Sequence, residues 1–270
     1  MQLLVAGSSR VDAGKTTFSV GLIDRLGATG FKPRAGNDHW YEYDDVDVAT
    51  ERGLLYGKDA RRLASASPTD HHPVSINPIH RLWRPSPGPA EGLLGRTDRE
   101  FLVDRVGVVD PTYLYNDTVA LPDALIERLE LADGTPVHSL EQFNKLMETH
   151  HLDALERISQ RIATTETAVV ESYGAIARPL RSFEPGAVAV VEPRRARIYD
   201  GMRYANACSV ASGSAQHGRL EVSVGRVTDL IDPVAVCELH ALTEEHRRDP
   251  EAIATAYEPA YDALLETATQ

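Results

Sequence analysis

The residues best suited to chemistry stand near the amino end, in the stretch Gly7-Ser8-Ser9-Arg10-Val11-Asp12-Ala13-Gly14-Lys15-Thr16-Thr17. They follow a short apolar run, residues 3–6, and precede one in which Phe18, Leu22, Ile23 and Leu26 recur at helical spacing. A strand, a glycine turn and a helix in that order make a phosphate-binding loop. The first N–H groups of a helix lack an intrahelical acceptor, and the helix dipole places about half a positive charge there. Asp12, Ala13, Gly14, Lys15, Thr16 and Thr17 would therefore surround the phosphates of ATP with donors already aimed at them. Lys15 would add a point charge beside the β- and γ-phosphates, and Thr16 would offer its hydroxyl to Mg²⁺. Six residues separate Gly7 from Gly14 where four are usual, so the loop is a variant of the motif.

Carboxylates that could join a Mg²⁺ site lie in two places. Asp44, Asp45 and Asp47 crowd the start of a helical pattern, where acids are ordinary caps and equally suit a hard cation. Farther on, the apolar run 168–170 leads into Glu171-Ser172-Tyr173-Gly174, which puts a carboxylate at a strand's carboxyl end beside a glycine turn.

The elements that must position these groups can be read from pattern. Residues 15–28 form a helix ended by Gly27 and Gly30, and 31–35 form a strand leading to Gly36-Asn37-Asp38, where open α/β sheets bind ligands. Helical patterns cover 44–55 and 58–66, and the Pro-, Ser- and Gly-rich stretch 67–92 is expected to be an extended ordered loop. Residues 100–119 read as added strands or a hairpin, followed by helices at 122–131, 139–147 and 152–163. His150-His151 falls between two of these helices and reads as a solvated junction; His71-His72 and His80 lack metal-ligand spacing. Residues 187–191 read as another parallel strand, 212–218 as a loop and 220–231 as two β-like runs. The tail reads as helices at 235–246 and 250–267, parted by a cap at Asp249.

Composition narrows the partners. The 270-residue chain carries a net charge of −12, which disfavours nucleic acid and anionic membrane surfaces. Its only lysines are Lys15, Lys32, Lys58 and Lys145; Lys15 falls on the loop and Lys32 within the next strand, close to the Gly36-Asn37-Asp38 turn. Cys208 and Cys237 belong to no Cys-x-x-Cys pair, which argues against a zinc knuckle or a disulfide framework. With no basic leader and no apolar run long enough to span a bilayer, a cytoplasmic location is expected. The fold expected from all this is α/β: a single P-loop NTPase domain over 1–270, a mostly parallel sheet flanked by helices, with an inserted segment at 93–164.

Four pieces together resemble dethiobiotin synthetase and its relatives among the P-loop ligases and dimeric ATPases. They are the Gly-Lys-Thr loop; Gly30-Phe31-Lys32-Pro33-Arg34-Ala35-Gly36, similar to G-x-K-P-V-A-S-G; Ile76-Asn77-Pro78 through Arg84-Pro85-Ser86-Pro87, similar to V-N-P with E-P-x-S-P-H; and Val169-Val170-Glu171-Ser172-Tyr173-Gly174, similar to V-V-E-G-A-G-G. The resemblance covers residues 1–90 and 165–192, in the same order. It implies that Lys15 and Thr16 bind ATP phosphates and Mg²⁺, that Lys32 faces the reacting group, and that Glu171 completes the metal site with Asp45, or Asp47 in reserve. It also implies an enzyme, a ligase or small-molecule kinase, that transfers the γ-phosphoryl group to a small acid or carbamate. An amine or an internal nucleophile then captures the activated group, and a homodimer is implied. The alternative is a regulatory dimeric ATPase of the partitioning or metal-chaperone type, acting on a protein partner.

Overall fold

A computed structural model describes residues 1–7, 13–88, 92–212 and 222–270. In chain order the elements open with β1 (Gln2–Gly7), α1 (Lys15–Leu26), β2 (Thr29–Phe31), β3 (Arg34–Asp38), α2 (Tyr43–Glu51), α3 (Lys58–Ala66) and α4 (Pro73–Ile76). There follow β4 (Ile79–Pro85), β5 (Arg99–Val106), β6 (Thr112–Asn116), α5 (Asp123–Arg128), β7 (Thr135–Val137), α6 (Leu140–Leu146) and α7 (Leu152–Thr164). The remainder is β8 (Ala168–Glu171), β9 (Ala187–Glu192), β10 (Arg195–Asp200), α8 (Gly201–Ala211), α9 (Val224–Thr228), β11 (Ala235–Glu238), α10 (Glu244–Arg248), α11 (Pro250–Ala256) and α12 (Glu258–Ala268). These form two compact units: Met1–Pro33, Arg62–His71 and Ser159–Gln270 make the first, and Arg34–Arg61 with His72–Ile158 the second. The segment 93–164, expected to be inserted, lies within the second unit up to Ile158.

The first unit is built on a six-stranded sheet of order β11-β10-β9-β1-β8-β2. Leu3, Leu4, Val5 and Ala6 of β1 are fully buried, as are Val169 and Val170 of β8 and Val188–Val191 of β9. Strands covered on both faces read as continuous apolar runs, which is why these three were legible. β9, β1, β8 and β2 are parallel, β10 runs antiparallel to β9, and β11 antiparallel to β10. The expected mostly parallel sheet is therefore replaced by mixed ones. The cause is local: Pro193 and Arg194, the latter at φ 70°, turn β9 directly back into β10 where a crossover helix would have kept the strands parallel. α1 ends at a left-handed Gly27 and is held by the tail, where the Tyr261 hydroxyl donates to the Phe18 carbonyl at 2.9 Å.

The second unit carries a five-stranded sheet of order β3-β4-β5-β6-β7, with outer pairs parallel and inner pairs antiparallel. One face packs Leu82, Leu102, Val103, Leu125 and Leu129; another cluster gathers Trp83, Phe101, Leu114, Val137 and Phe143.

Several expectations are corrected. The strand expected at 31–35 is two strands in two sheets, because Pro33 has no N–H with which to continue a ladder. The expected loop 67–92 contains α4 and β4; its prolines stand just before β4 (Pro78) and at its last residue (Pro85), where a missing donor is tolerated. The β-like stretch 220–231 contains α9, which buries Val224 and Val227 at a helical spacing of three. The expected helix 235–246 begins instead as β11, edge-paired to β10, and helix returns only at Glu244. Asp249 does cap the tail helix, accepting from the N–H of Glu251, but Pro259 divides that helix into α11 and α12. Most of the loop expected at 212–218 lies outside the described residues.

His151 is likewise no solvated junction. It is buried and its Nε2 lies 2.9 Å from Oδ2 of Asp104, a carboxylate with no solvent exposure. Arg81 closes a bidentate fork on that carboxylate at 2.6 and 2.6 Å, its guanidinium 5.0–5.5 Å from the rings of Trp83, Phe101 and Phe143. Next along β5, the buried Arg105 donates to the carbonyls of Asn77, Pro78, Leu55 and Gly107, so one side chain ties three segments to the strand.

Burial pushes the Asp104 carboxyl up, but the charge and hydrogen bonds of Arg81 and His151 outweigh it and hold the group at about 2. A carboxyl lowered by folding contributes stability that is full above its unfolded value near 4 and is lost as pH falls through about 2, here roughly 2 kcal/mol. Asp104→Asn should therefore destabilise the second unit at neutral pH, and its deficit relative to wild type should shrink as pH falls from 5 towards 2. Trp40 and Trp83 both lie in this unit, so urea unfolding followed by tryptophan fluorescence reads it directly. A deficit independent of pH would refute the assignment.

Candidate nucleotide and cation site

Parallel pairing brings three carboxyl ends to one edge of the first sheet. Val5 of β1 lies in register with Glu171 of β8, and Phe31 of β2 with Val170, so Lys32 follows directly beside Glu171. The N–H of Ser172 donates to the Val5 carbonyl at 2.9 Å and carries the β1–β8 pairing one residue past Glu171. Beyond this edge stands the first turn of α1.

The start of α1 has two properties that matter for an anion. Gly14, its N-cap, is left-handed at φ 89°, and no side chain caps the helix. No acidic residue belongs to the first turn itself. Lys15 folds back across the end of β1: a Cβ on Gly7 would stand 2.7 Å from its Cδ and 3.1 Å from its Nζ. A side chain at this last strand residue would make Lys15 move aside.

Glu171 gathers the remaining contacts at this edge. It has no solvent exposure; its Oε1 accepts from the Thr16 hydroxyl at 3.0 Å and pairs with Nζ of Lys32, itself only 3% exposed. Its Oε2 is buried and accepts no hydrogen bond among the described residues. A buried carboxylate oxygen without a donor is costly. It is also what a hard cation would take, together with Thr16, phosphate oxygen and water. Among the described residues no group of three or more His, Cys, Asp and Glu gathers to hold a metal by itself.

The structure thus brings Lys15, Thr16, Lys32 and Glu171 to one edge, with Ala13, Gly14 and Thr17 beside them. Asp12 lies outside the described residues. Asp45 belongs to the second unit, where its carboxylate accepts from Asn37 at 3.2 Å, from the N–H of Lys58 at 2.7 Å and from Arg61 at 3.4 Å. It there serves the amino end of α3, and burial raises its pKa. Asp47 in the same unit pairs with Arg128. Sequence reasoning passed over Arg62, which belongs to the first unit and whose Nη1 lies 3.5 Å from the Thr17 hydroxyl. Arg61-Arg62 reads as ordinary helix-surface charge, and no spacing marks it.

Fold and site together define an α/β protein with mixed sheets flanked by helices, carrying two lysines, a threonine and a glutamate at one carboxyl edge beside the start of α1. Compared with protein-family models, with curated proteins and with solved structures, the chain matches none. Among the described residues no helix is long and apolar enough to cross a membrane.

The Lys32–Glu171 pair has an asymmetric consequence. Removing one member strands the other charge, so Lys32→Ala should cost about 3–5 kcal/mol in denaturant unfolding. The double change Lys32→Met with Glu171→Gln should recover at least about 1 kcal/mol of that. Additive losses in the two single variants and their combination would show that the pair does not operate as described.

Proposed function

We propose that this chain is a P-loop enzyme that uses Mg²⁺ and ATP and transfers the γ-phosphoryl group to a small carboxylate or carbamate. The observation that carries the reading is the convergence of Thr16, Lys32 and Glu171, far apart in sequence, beside a lysine laid across the end of β1 at an uncapped helix start.

Phosphoryl transfer asks little covalent chemistry of a protein: it needs charge neutralised around the transferred group and the acceptor held in line. In this reading the N–H groups of Gly14, Lys15, Thr16 and Thr17 hold the polyphosphate, and the Lys15 ammonium neutralises its outer phosphates. The acceptor oxygen bonds to the γ-phosphorus as the β–γ bridging bond breaks and ADP leaves. Thr16 and Oε2 of Glu171 would hold Mg²⁺, which supplies positive charge to the β- and γ-oxygens. Lys32 would hold the Glu171 carboxylate in place. The assignment of Asp45 as a further metal ligand and of Lys32 as facing the acceptor rests on sequence placement and the resemblance, and that of a homodimer on the resemblance.

Lys15→Ala should weaken Mg²⁺-ATP binding in calorimetry by at least about tenfold, roughly 1.4 kcal/mol. Gly7→Ala should do nearly the same, because its new methyl group displaces the lysine. Equal affinity in wild type and Lys15→Ala would end the nucleotide reading. ADP release against a panel of small carboxylates and amines, with and without bicarbonate, tests the transfer step. Stimulation only by a protein partner would replace the ligase with a regulatory ATPase.

A further inference from the structure

Resting on the nucleotide reading above, we propose that Arg62 is a second cation of the site and restricts it to polyphosphates, nucleoside di- and triphosphates, with orthophosphate bound far more weakly. The geometry comes from α1. Successive residues of an α-helix are turned by about 100° about its axis, so Lys15 and Thr17 point to nearly opposite sides of the first turn. Lys15 extends over Gly7 at the end of β1; on the other side Arg62 sets Nη1 3.5 Å from the Thr17 hydroxyl. The two cations therefore flank the same uncapped helix start. An orthophosphate held by one leaves the other unmet, while two or three linked phosphates laid across the turn meet both.

Arg62 is held for this task. Its Nη2 donates at 3.0 Å to the carbonyl of Arg247 in the last turn of α10, which fixes the guanidinium without neutralising it. Among the described residues these two bonds engage two of its five N–H donors. Lys32 differs, since its charge is matched by Glu171. A planar guanidinium can also present two parallel donors to one phosphate, which an ammonium cannot.

Arg62 also clips α10, so the decisive variant is Arg62→Gln, which removes the charge but keeps a polar side chain, and thermal melts separate a lost clip from a lost charge. Binding of ATP, ADP, pyrophosphate and orthophosphate to the full chain is measured by calorimetry for wild type, Arg62→Gln and Lys15→Ala, with thermal melts of each. Wild type should bind ADP and pyrophosphate more tightly than orthophosphate, by at least the roughly tenfold that one charge-assisted contact contributes. Arg62→Gln should lose roughly tenfold for ADP, ATP and pyrophosphate, with a shallower salt dependence, an unchanged orthophosphate affinity and an unchanged melting temperature. Arg62→Lys should restore part of the loss. Unchanged ADP and ATP affinities in Arg62→Gln, beside a clear loss in Lys15→Ala, would overturn this inference and leave the nucleotide reading standing. An equal loss for orthophosphate, or a loss explained by a lowered melting temperature, would also overturn it. Failure of the wild-type protein to bind any nucleotide would instead remove the reading on which it rests.

Discussion

A carboxylate with no access to water ends β8, and much of the first unit is arranged to make that tolerable. Glu171 sits between the ends of β1 and β2 by strand register, and Lys32 and Thr16 reach its Oε1 from those two sides. A buried ion pair costs several kcal/mol of desolvation per charge, recovered only when the geometry is close and the remaining lone pairs are satisfied. Here the second oxygen has no donor among the described residues. Such an arrangement is expensive as scaffolding, and its expense is reasonable if that oxygen serves a bound cation.

The second unit meets the same difficulty without leaving an oxygen over. Asp104 is as buried as Glu171, yet both its oxygens are engaged, by the Arg81 fork and by His151. Arg105, one residue on, spreads its positive charge over backbone carbonyls and is lowered by burial to about 10, still charged at neutral pH. Both units thus place ionised groups inside their sheets. In the second unit both oxygens of the buried carboxylate are engaged, while Nδ1 of His151 is buried with no partner among the described residues; in the first it is a carboxylate oxygen, Oε2 of Glu171, that is left over.

Part of the site was legible because its signal is local. A strand end, a glycine turn and a helix start are neighbours in the chain, so Gly14, Lys15 and Thr16 could be read together, and Glu171 could be placed at a strand end by its apolar run. Lys32 was singled out for a different reason, as a lysine facing an acceptor. Its contact with Glu171 depends on which strand lies between β1 and β2, a fact of sheet order that no local pattern encodes. Arg62 was illegible for the same reason, since its significance arises only where α3 meets the first turn of α1.

The sequence by itself determined the fully buried strands β1, β8 and β9, the helix α1 with its glycine stop, the cap at Asp249 and the carboxyl-edge position of Glu171. Each rests on burial on both faces or on hydrogen bonds between near neighbours. Only the tertiary structure decided that residues 31–35 divide between two sheets, that β4 forms within a proline-rich stretch, and that residues 235–238 pair with β10 when their composition would equally serve a helix. A four-residue edge strand or a proline-bracketed strand carries too little intrinsic preference to settle its own conformation. Tertiary structure decides such segments because a neighbouring strand supplies the hydrogen-bond partners they lack. It likewise decided the fate of His151 and Asp104, whose meeting across 47 positions of sequence exists only once β5 is paired and the turn between α6 and α7 packs beside it.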